Sequence, residues 1–264
     1  MTPRSSARRR LRYAKSSLIT LARNPQHQLA AHHALRVFHS RSVYSFIPKN
    51  ACSTMRLALA IENGCIPDAS HIGWIHDNNS TFSADLEGLL TAEYTFVILR
   101  SPFTRLASTY LDKITGRWPD MWNLLAMGGY ATDPDSLSFR KFVETICRPG
   151  VFRSNIHWRP QVDFLVYEEY DDYISYENFA FEKARIEERA GIHIVDARDK
   201  TRHGNDRYTL VSDRSFCDAT PFEIRTMRHE GLSPSHESLY DDAIRTVVAN
   251  HYAEDLKLYE AVFS

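Results

Sequence analysis

The chain has 264 residues, about 1.8 times a ~150-residue domain, which allows one large α/β unit or two domains and excludes a miniature stapled fold. With 43% hydrophobic, 25% charged and 12% aromatic residues there is enough apolar material for a sizeable core, so disorder over the whole length is excluded. The 32 basic and 33 acidic residues leave a net charge of -1, too little to draw nucleic acid or an anionic membrane, and any anion site must be local.

Residues 1–15 carry Arg4, Arg8, Arg9, Arg10, Arg12 and Lys15 with almost no acid, the pattern of a solvated basic tail or of a phosphate-seeking arm. With a helix expected over Gln28–Phe38, residues 1–40 are set apart as an arm and helix and residues 41–264 as one domain. Val43–Pro48 is a β-branched and aromatic run stopped by proline, hence a strand. Ser53–Glu62 is apolar on nearly all sides and reads as a packed helix, ended by Gly64 and Pro67. Tyr94–Leu99 is a continuous apolar strand, and Ser101 and Pro102 are an N-cap and first helical residue. The following helix, to about Ile114, keeps Phe103, Leu106, Ala107, Tyr110, Leu111 and Ile114 on one stripe. Two strand-to-helix units imply an α/β fold with a central parallel sheet flanked by helices.

Downstream, Leu137–Cys147 and Asn178–Ala190 read as helices, Val162–Val166 and Tyr173–Tyr176 as strands, residues 198–221 as a polar loop and Ser238–Val262 as one long helix. Cys52, Cys65, Cys147 and Cys217 show no zinc or disulfide spacing and read as reduced thiols. Leu18–Ala22 is too short for a signal-peptide core and no run of ~18 apolar residues exists, so the expectation is a cytoplasmic protein without a membrane span.

In an open α/β sheet, ligands bind beyond the carboxyl ends of the strands. The first such turn is Pro48-Lys49-Asn50-Ala51-Cys52-Ser53-Thr54. Small residues admit a ligand to the backbone, a helix start offers N–H groups to an anion, Ser53 and Thr54 add hydroxyls and Lys49 adds charge. It lacks the G-x-x-x-x-G-K-[ST] pattern, which disfavours a P-loop kinase. The alternative role for these residues is to solvate a strand end and cap a helix. At the second turn, Arg100 ends the strand and Ser108 lies two helical turns on, a combination suited to a second phosphate.

These residues resemble the sulfotransferases that use 3′-phosphoadenosine 5′-phosphosulfate (PAPS). Phe46-Ile-Pro-Lys-Asn-Ala-Cys-Ser-Thr54 is similar to their 5′-phosphosulfate loop and Leu99-Arg-Ser-Pro-Phe-Thr-Arg-Leu-Ala-Ser-Thr-Tyr110 to their 3′-phosphate motif. The R-x-P-x-x-R-L-x-S-x-Y spacing most resembles the carbohydrate branch, the chondroitin, dermatan and heparan sulfate enzymes. Weaker similarity runs through His157-Trp-Arg-Pro160, Tyr173-Ile-Ser-Tyr-Glu-Asn-Phe179 and Tyr252-Ala-Glu-Asp-Leu-Lys-Leu258.

The resemblance implies a P-loop-like fold and a sulfuryl transfer from PAPS, without a metal, to a hydroxyl of a carbohydrate or glycoside. Lys49 would contact the leaving phosphate, Asn50, Ala51, Cys52, Ser53 and Thr54 would cradle the 5′ end, and Arg100 and Ser108 would hold the 3′-phosphate. The acceptor hydroxyl needs a base. His71, in Ser70-His-Ile-Gly-Trp74, lies where some heparan-type members place a catalytic histidine; His76, His157 and the carboxylate of Glu62 are the alternatives. His157, beside Trp158 and Pro160, also fits a packed loop residue. Trp74 and Trp158 fit either the wall of an acceptor groove or the core, and Arg148, Arg153 and Arg159 either a saccharide contact or a solvated face. The chain lacks the membrane anchor and extra cysteines of many Golgi members, as a soluble bacterial relative would. The rival readings are a P-loop-type kinase and a non-catalytic module that binds a bisphosphorylated nucleotide or an anionic saccharide. No oligomeric state is implied.

Overall fold

A computed structural model describes residues 9–78, 80–129, 133–197 and 207–264. The chain divides into two compact units: one comprises the segment that ends at Arg100 and the segment that begins at Gln161, the other Ser101–Pro160 and the C-terminal segment.

The first unit is built on a four-stranded sheet. Asn24 caps α1 (Pro25–His32) by accepting from the N–H groups of Gln26 and His27, and Pro25 fills the first helical position. The chain then forms β1 (Ala34–Val37) and β2 (Ser42–Ser45), which pair antiparallel. The helix expected over Gln28–Phe38 thus starts earlier and stops at His32, because Ala34–Val37 forms an edge strand. After α2 (Cys52–Glu62), α3 (Trp74–Asp77) and α4 (Leu86–Leu90), β3 (Tyr94–Leu99) enters beside β2, and β4 (Asp172–Ser175) joins its other edge, both parallel to it. The sheet order is β1-β2-β3-β4, mostly parallel and flanked by helices. β3 is buried at every position, as its continuous apolar run requires. α8, as numbered along the whole chain, spans Phe179–Ala190 and is ended by Gly191 in the left-handed conformation.

The strand expected over Val162–Val166 does not form. Both edges of β3 are occupied by β2 and β4, and Gln161–Phe164 coils into a short 3-10 turn instead. The chain just beyond it pairs with the N-terminal segment: Arg12 N–H donates to Val166 O and Glu168 N–H to Arg10 O, both at 2.9 Å. Residues 1–8 lie outside the described residues, but Arg9 is no solvated tail. Its guanidinium donates to the carbonyls of Ala92 and Glu93 and lies 2.7 Å from the Asp171 carboxylate. Lys15 pairs with Glu168 at 2.9 Å. Burial works against the charged form of Asp171, but the bonds from Arg9 and Thr95 hold its carboxyl below the usual range.

The second unit is mainly helical, with α5 (Pro102–Thr109), α6 (Pro119–Gly128), α7 (Phe139–Ile146), α9 (Pro221–His229), α10 (Asp242–His251) and α11 (Ala253–Phe263). Two short parallel strands, β5 (Thr209–Val211) and β6 (Leu232–Pro234), complete it. β5 lies inside the segment expected to be a polar loop, and residues 198–206 of that segment are outside the described residues. α5 runs into a π-helical turn over Tyr110–Ile114, closed by Thr115 N–H on Tyr110 O at 3.0 Å. Tyr110, Leu111 and Ile114 are thereby all buried, against Phe139, Phe142 and Leu124 among others. The single helix expected over Ser238–Val262 is two helices that meet at Tyr252, whose buried hydroxyl donates to Trp158 O. Trp158 is core, while Trp74, in the first unit, is half-buried against Phe82.

Candidate active site

The turn between β2 and α2 lies at the carboxyl end of a parallel strand, and it bends through two residues that are not glycine in the left-handed region: Lys49 at φ 74° and Ala51 at φ 53°. Such conformations cost about 1–2 kcal/mol each and persist where surrounding bonds over-determine them. Here the bonds come from Asn50, whose side chain is fully buried. Its Nδ2 donates to Ile98 O at 2.8 Å and to Gln161 Oε1 at 2.6 Å, while its backbone N–H donates to Ile47 O at 3.2 Å. Asn50 is therefore the brace of the turn, with its N–H donors committed inward.

The consequence is local. α2 begins at Cys52 with Ala51 at its N-cap and no side-chain capping bond, so its first N–H groups belong to an uncapped helix start. Ser53 is half-buried on that first turn, and Thr54 is buried with its hydroxyl accepting from Ala197 N–H at 3.4 Å.

Arg100, at the end of neighbouring β3, is buried at 4% exposure. Its Nη1 donates to Lys49 O at 2.9 Å, and its guanidinium lies 4.1 Å from the centroid of the Tyr176 ring. The structure thus brings Lys49, Asn50 and Arg100 into one bonded group. The local donor set is an ammonium, a guanidinium, hydroxyls and helix-start N–H groups. These are groups that receive an anion. Two buried polar atoms nearby, Asn50 Oδ1 and Tyr44 Oη, have no hydrogen-bond partner among the described residues.

The sulfotransferase family model matches residues 33–262, most of the chain. The chain belongs to the sulfotransferase family. It matches no curated protein and no solved structure. Sulfuryl transfer is the activity of this family, which generally uses PAPS as donor. Among the described residues, no helix is long and apolar enough to cross a membrane.

The remaining residues singled out from the sequence are shared between the two units. Ser108 is half-buried on α5, in the second unit, and Ser101 stands at the N-cap of that helix without making a capping bond. Arg105, one turn before Ser108, is 1% exposed and donates to the carbonyls of Arg159 (2.8 Å) and Ile156 (3.2 Å), which makes it a bolt for the segment around His157.

In the first unit, His71 is exposed, with Nδ1 3.1 Å from Ser70 Oγ and 3.5 Å from Asp68 Oδ1. His76 is exposed on α3. α3 is tied to α2 by Arg56, whose Nη1 donates to Ile75 O at 3.2 Å. Glu62 ends α2 beside His39, with Oε1 3.6 Å from the ring nitrogen. At 1.5 Å per residue it lies roughly 15 Å along the helix from the Cys52 end, too far to serve the turn as a base.

His157, in the second unit, is part-buried. Its Nδ1 lies 3.1 Å from both Asp120 Oδ1 and Asn155 Oδ1, and Asn155 Nδ2 donates to Asp120 Oδ1 at 2.7 Å. Burial alone would raise the Asp120 carboxyl, but the hydrogen bond and charge of His157, helped by Asn155 and Lys113, hold it at about 2.

Gln161, Tyr176, Arg56 and Asp120 escaped the sequence reading. Gln161 and Tyr176 were within reach of it, since one directly follows His157-Trp-Arg-Pro160 and the other lies inside Tyr173–Phe179. Asp120 carries no local signal, because its partner is 37 residues away.

Proposed function

We propose that this protein moves the sulfuryl group of PAPS to a hydroxyl of a carbohydrate or glycoside, in the cytoplasm. The observation that carries the reading is the bonded group at the ends of β2 and β3, where a strained turn bearing Lys49 is locked to Arg100 through Lys49 O and to β3 through Asn50. Such preorganisation matters in sulfuryl transfer because negative charge grows on the leaving phosphate as the sulfur–oxygen bond to it breaks and a new one to the acceptor oxygen forms. The donor supplies an activated sulfuryl group. Lys49 meets the charge that develops on the leaving phosphate, the uncapped start of α2 with Ser53 and Thr54 receives the 5′ end, and Arg100 and Ser108 receive the 3′-phosphate. This is a phosphate loop's work done without a glycine-rich sequence.

Asn50 enters this reading as a brace and not as a phosphate contact. The acceptor's proton passes to a histidine, and His71, His76 and His157 are the candidates.

The test is a thermal-shift titration with adenosine 3′,5′-bisphosphate, set against ATP with magnesium. Stabilisation by the bisphosphate alone, about 2.7 kcal/mol at 100 times its dissociation constant, is the expected result. A shift given by ATP and magnesium only would replace this reading with a kinase. Turnover assays with labelled PAPS and a panel of glycosides then identify the acceptor.

A further inference from the structure

We propose that Gln161 is a positioning residue for the donor site, the side chain that fixes Arg100 and the Lys49–Asn50 turn in register with each other. The inference rests on the reading of that turn and Arg100 as the donor's binding site.

Gln161 is 1% exposed, and its amide bonds both Asn50 and Arg100. Oε1 accepts from Asn50 Nδ2 at 2.6 Å and from the backbone N–H of Arg100 at 3.0 Å, while Nε2 donates to Arg100 O at 2.8 Å. One carboxamide therefore satisfies both backbone groups of Arg100, as a residue of an adjacent strand would. β2 has already ended: its pairing with β3 stops at Ser45 opposite Val97. Gln161 continues the hydrogen bonding of β3 beyond that point, through Arg100. It also closes a ring of contacts, because Arg100 Nη1 donates to Lys49 O at 2.9 Å and Lys49 is bonded covalently to Asn50. In the sequence, Arg100 is the last residue before the excursion through Ser101–Pro160 and Gln161 the first after it.

The chemistry at this position is exacting. The site needs one acceptor oxygen and one donor in a planar fork, and it is buried, so a group without a partner is costly. A glutamine meets the demand, and so does a protonated glutamic acid. A carboxylate keeps the two accepted bonds but sets a negative oxygen against Arg100 O. A thioether of similar volume makes none of these bonds. The ionisable residues in the ring are Arg100 and Lys49. Loss of the brace misaligns the charge-assisted contact that Arg100 offers to a phosphate, and bisphosphate binding is expected to weaken by about 10- to 100-fold.

The experiment is isothermal titration of wild type, Gln161→Glu and Gln161→Met with adenosine 3′,5′-bisphosphate from pH 5.5 to 8, with the urea midpoint of each protein measured in parallel. Expected are weak binding by Gln161→Met at every pH, and weak binding by Gln161→Glu at pH 8 that recovers relative to wild type as the pH falls. Wild-type affinity in folded Gln161→Met, or weak binding by Gln161→Glu without recovery, overturns the proposal. If neither variant folds, amide exchange of the wild type decides: bisphosphate slowing exchange at Arg100 N–H supports the role, and binding without such slowing overturns it. Failure of wild type to bind bisphosphate at all strikes the donor-site reading itself, a result distinct from those given by the variants.

Discussion

Each unit of the molecule holds a histidine beside an aspartate, and the two pairs differ in what surrounds them. His71 and Asp68 lie on one exposed 3-10 turn, 3.5 Å apart, with Ser70 between them in sequence. His157 and Asp120 come from separate segments, are both less than a quarter exposed, and are clamped by Asn155 at 3.1 and 2.7 Å. An exposed pair spends its attraction on ordering mobile side chains and is screened by water and salt. A half-buried pair with a third bonded partner has its ring plane set in advance, the arrangement in which a carboxylate orients a base. Position in the sequence favours His71; rigidity favours His157.

The largest effect that separates them is on turnover. Replacing the acting base by alanine is expected to lower kcat by about 10²- to 10⁴-fold with bisphosphate affinity unchanged. His71→Ala, His76→Ala and His157→Ala, assayed side by side, show which ring is the base; full activity in all three removes histidine from the mechanism. Next in size is Arg100→Ala, which tests the donor side alone. Loss of a charge-assisted phosphate contact is worth about 1.5–3 kcal/mol, or about 10- to 150-fold in bisphosphate affinity, and an unaltered titration would take Arg100 out of the 3′-phosphate site.

The smallest effect concerns stability. The Asp120 carboxyl is held at about 2, below its ordinary value near 3.9, so as pH falls the unfolded chain takes up the proton first. The pair's contribution, about 2 kcal/mol, is complete above pH ~4 and vanishes as the pH falls towards ~2. Asp120→Asn should therefore lower the urea midpoint at pH 7, and the deficit should close between pH 4 and pH 2. Asp68→Asn should leave the midpoint where it is. Equal losses from the two variants would erase the distinction between the pairs.

Much of the fold was legible because it is coded locally. Tyr94–Leu99 forms the expected strand residue for residue, and α2 and the helix after Asn178 lie within one residue of their expected starts. Gly191 ends its helix as a glycine should. Val162–Val166 misled because a short apolar run is equally compatible with a strand or a buried turn, and the sheet had no edge of β3 to give it. Within the basic N-terminal stretch, Arg9 misled because charge density says nothing about partners: Asp171, more than 160 residues away, is what anchors it. Among the site residues, Lys49 and Arg100 were visible as polar groups at strand ends. The inward role of Asn50 was not, since it depends on Ile98 and Gln161.

By itself, then, the sequence determined the alternation of strands and helices, the two polar turns at strand ends and membership of a sulfotransferase family, all of which are written in runs of neighbouring residues. The tertiary structure decided which of those polar residues face inward. Asn50 and Arg105 became braces, Gln161 became the link between Asn50 and Arg100, and His157 acquired the carboxylate that His71 meets only at the surface. The physical reason is that hydrogen-bond partnership in a buried site is settled by three-dimensional neighbours, tens to more than a hundred residues distant along the chain.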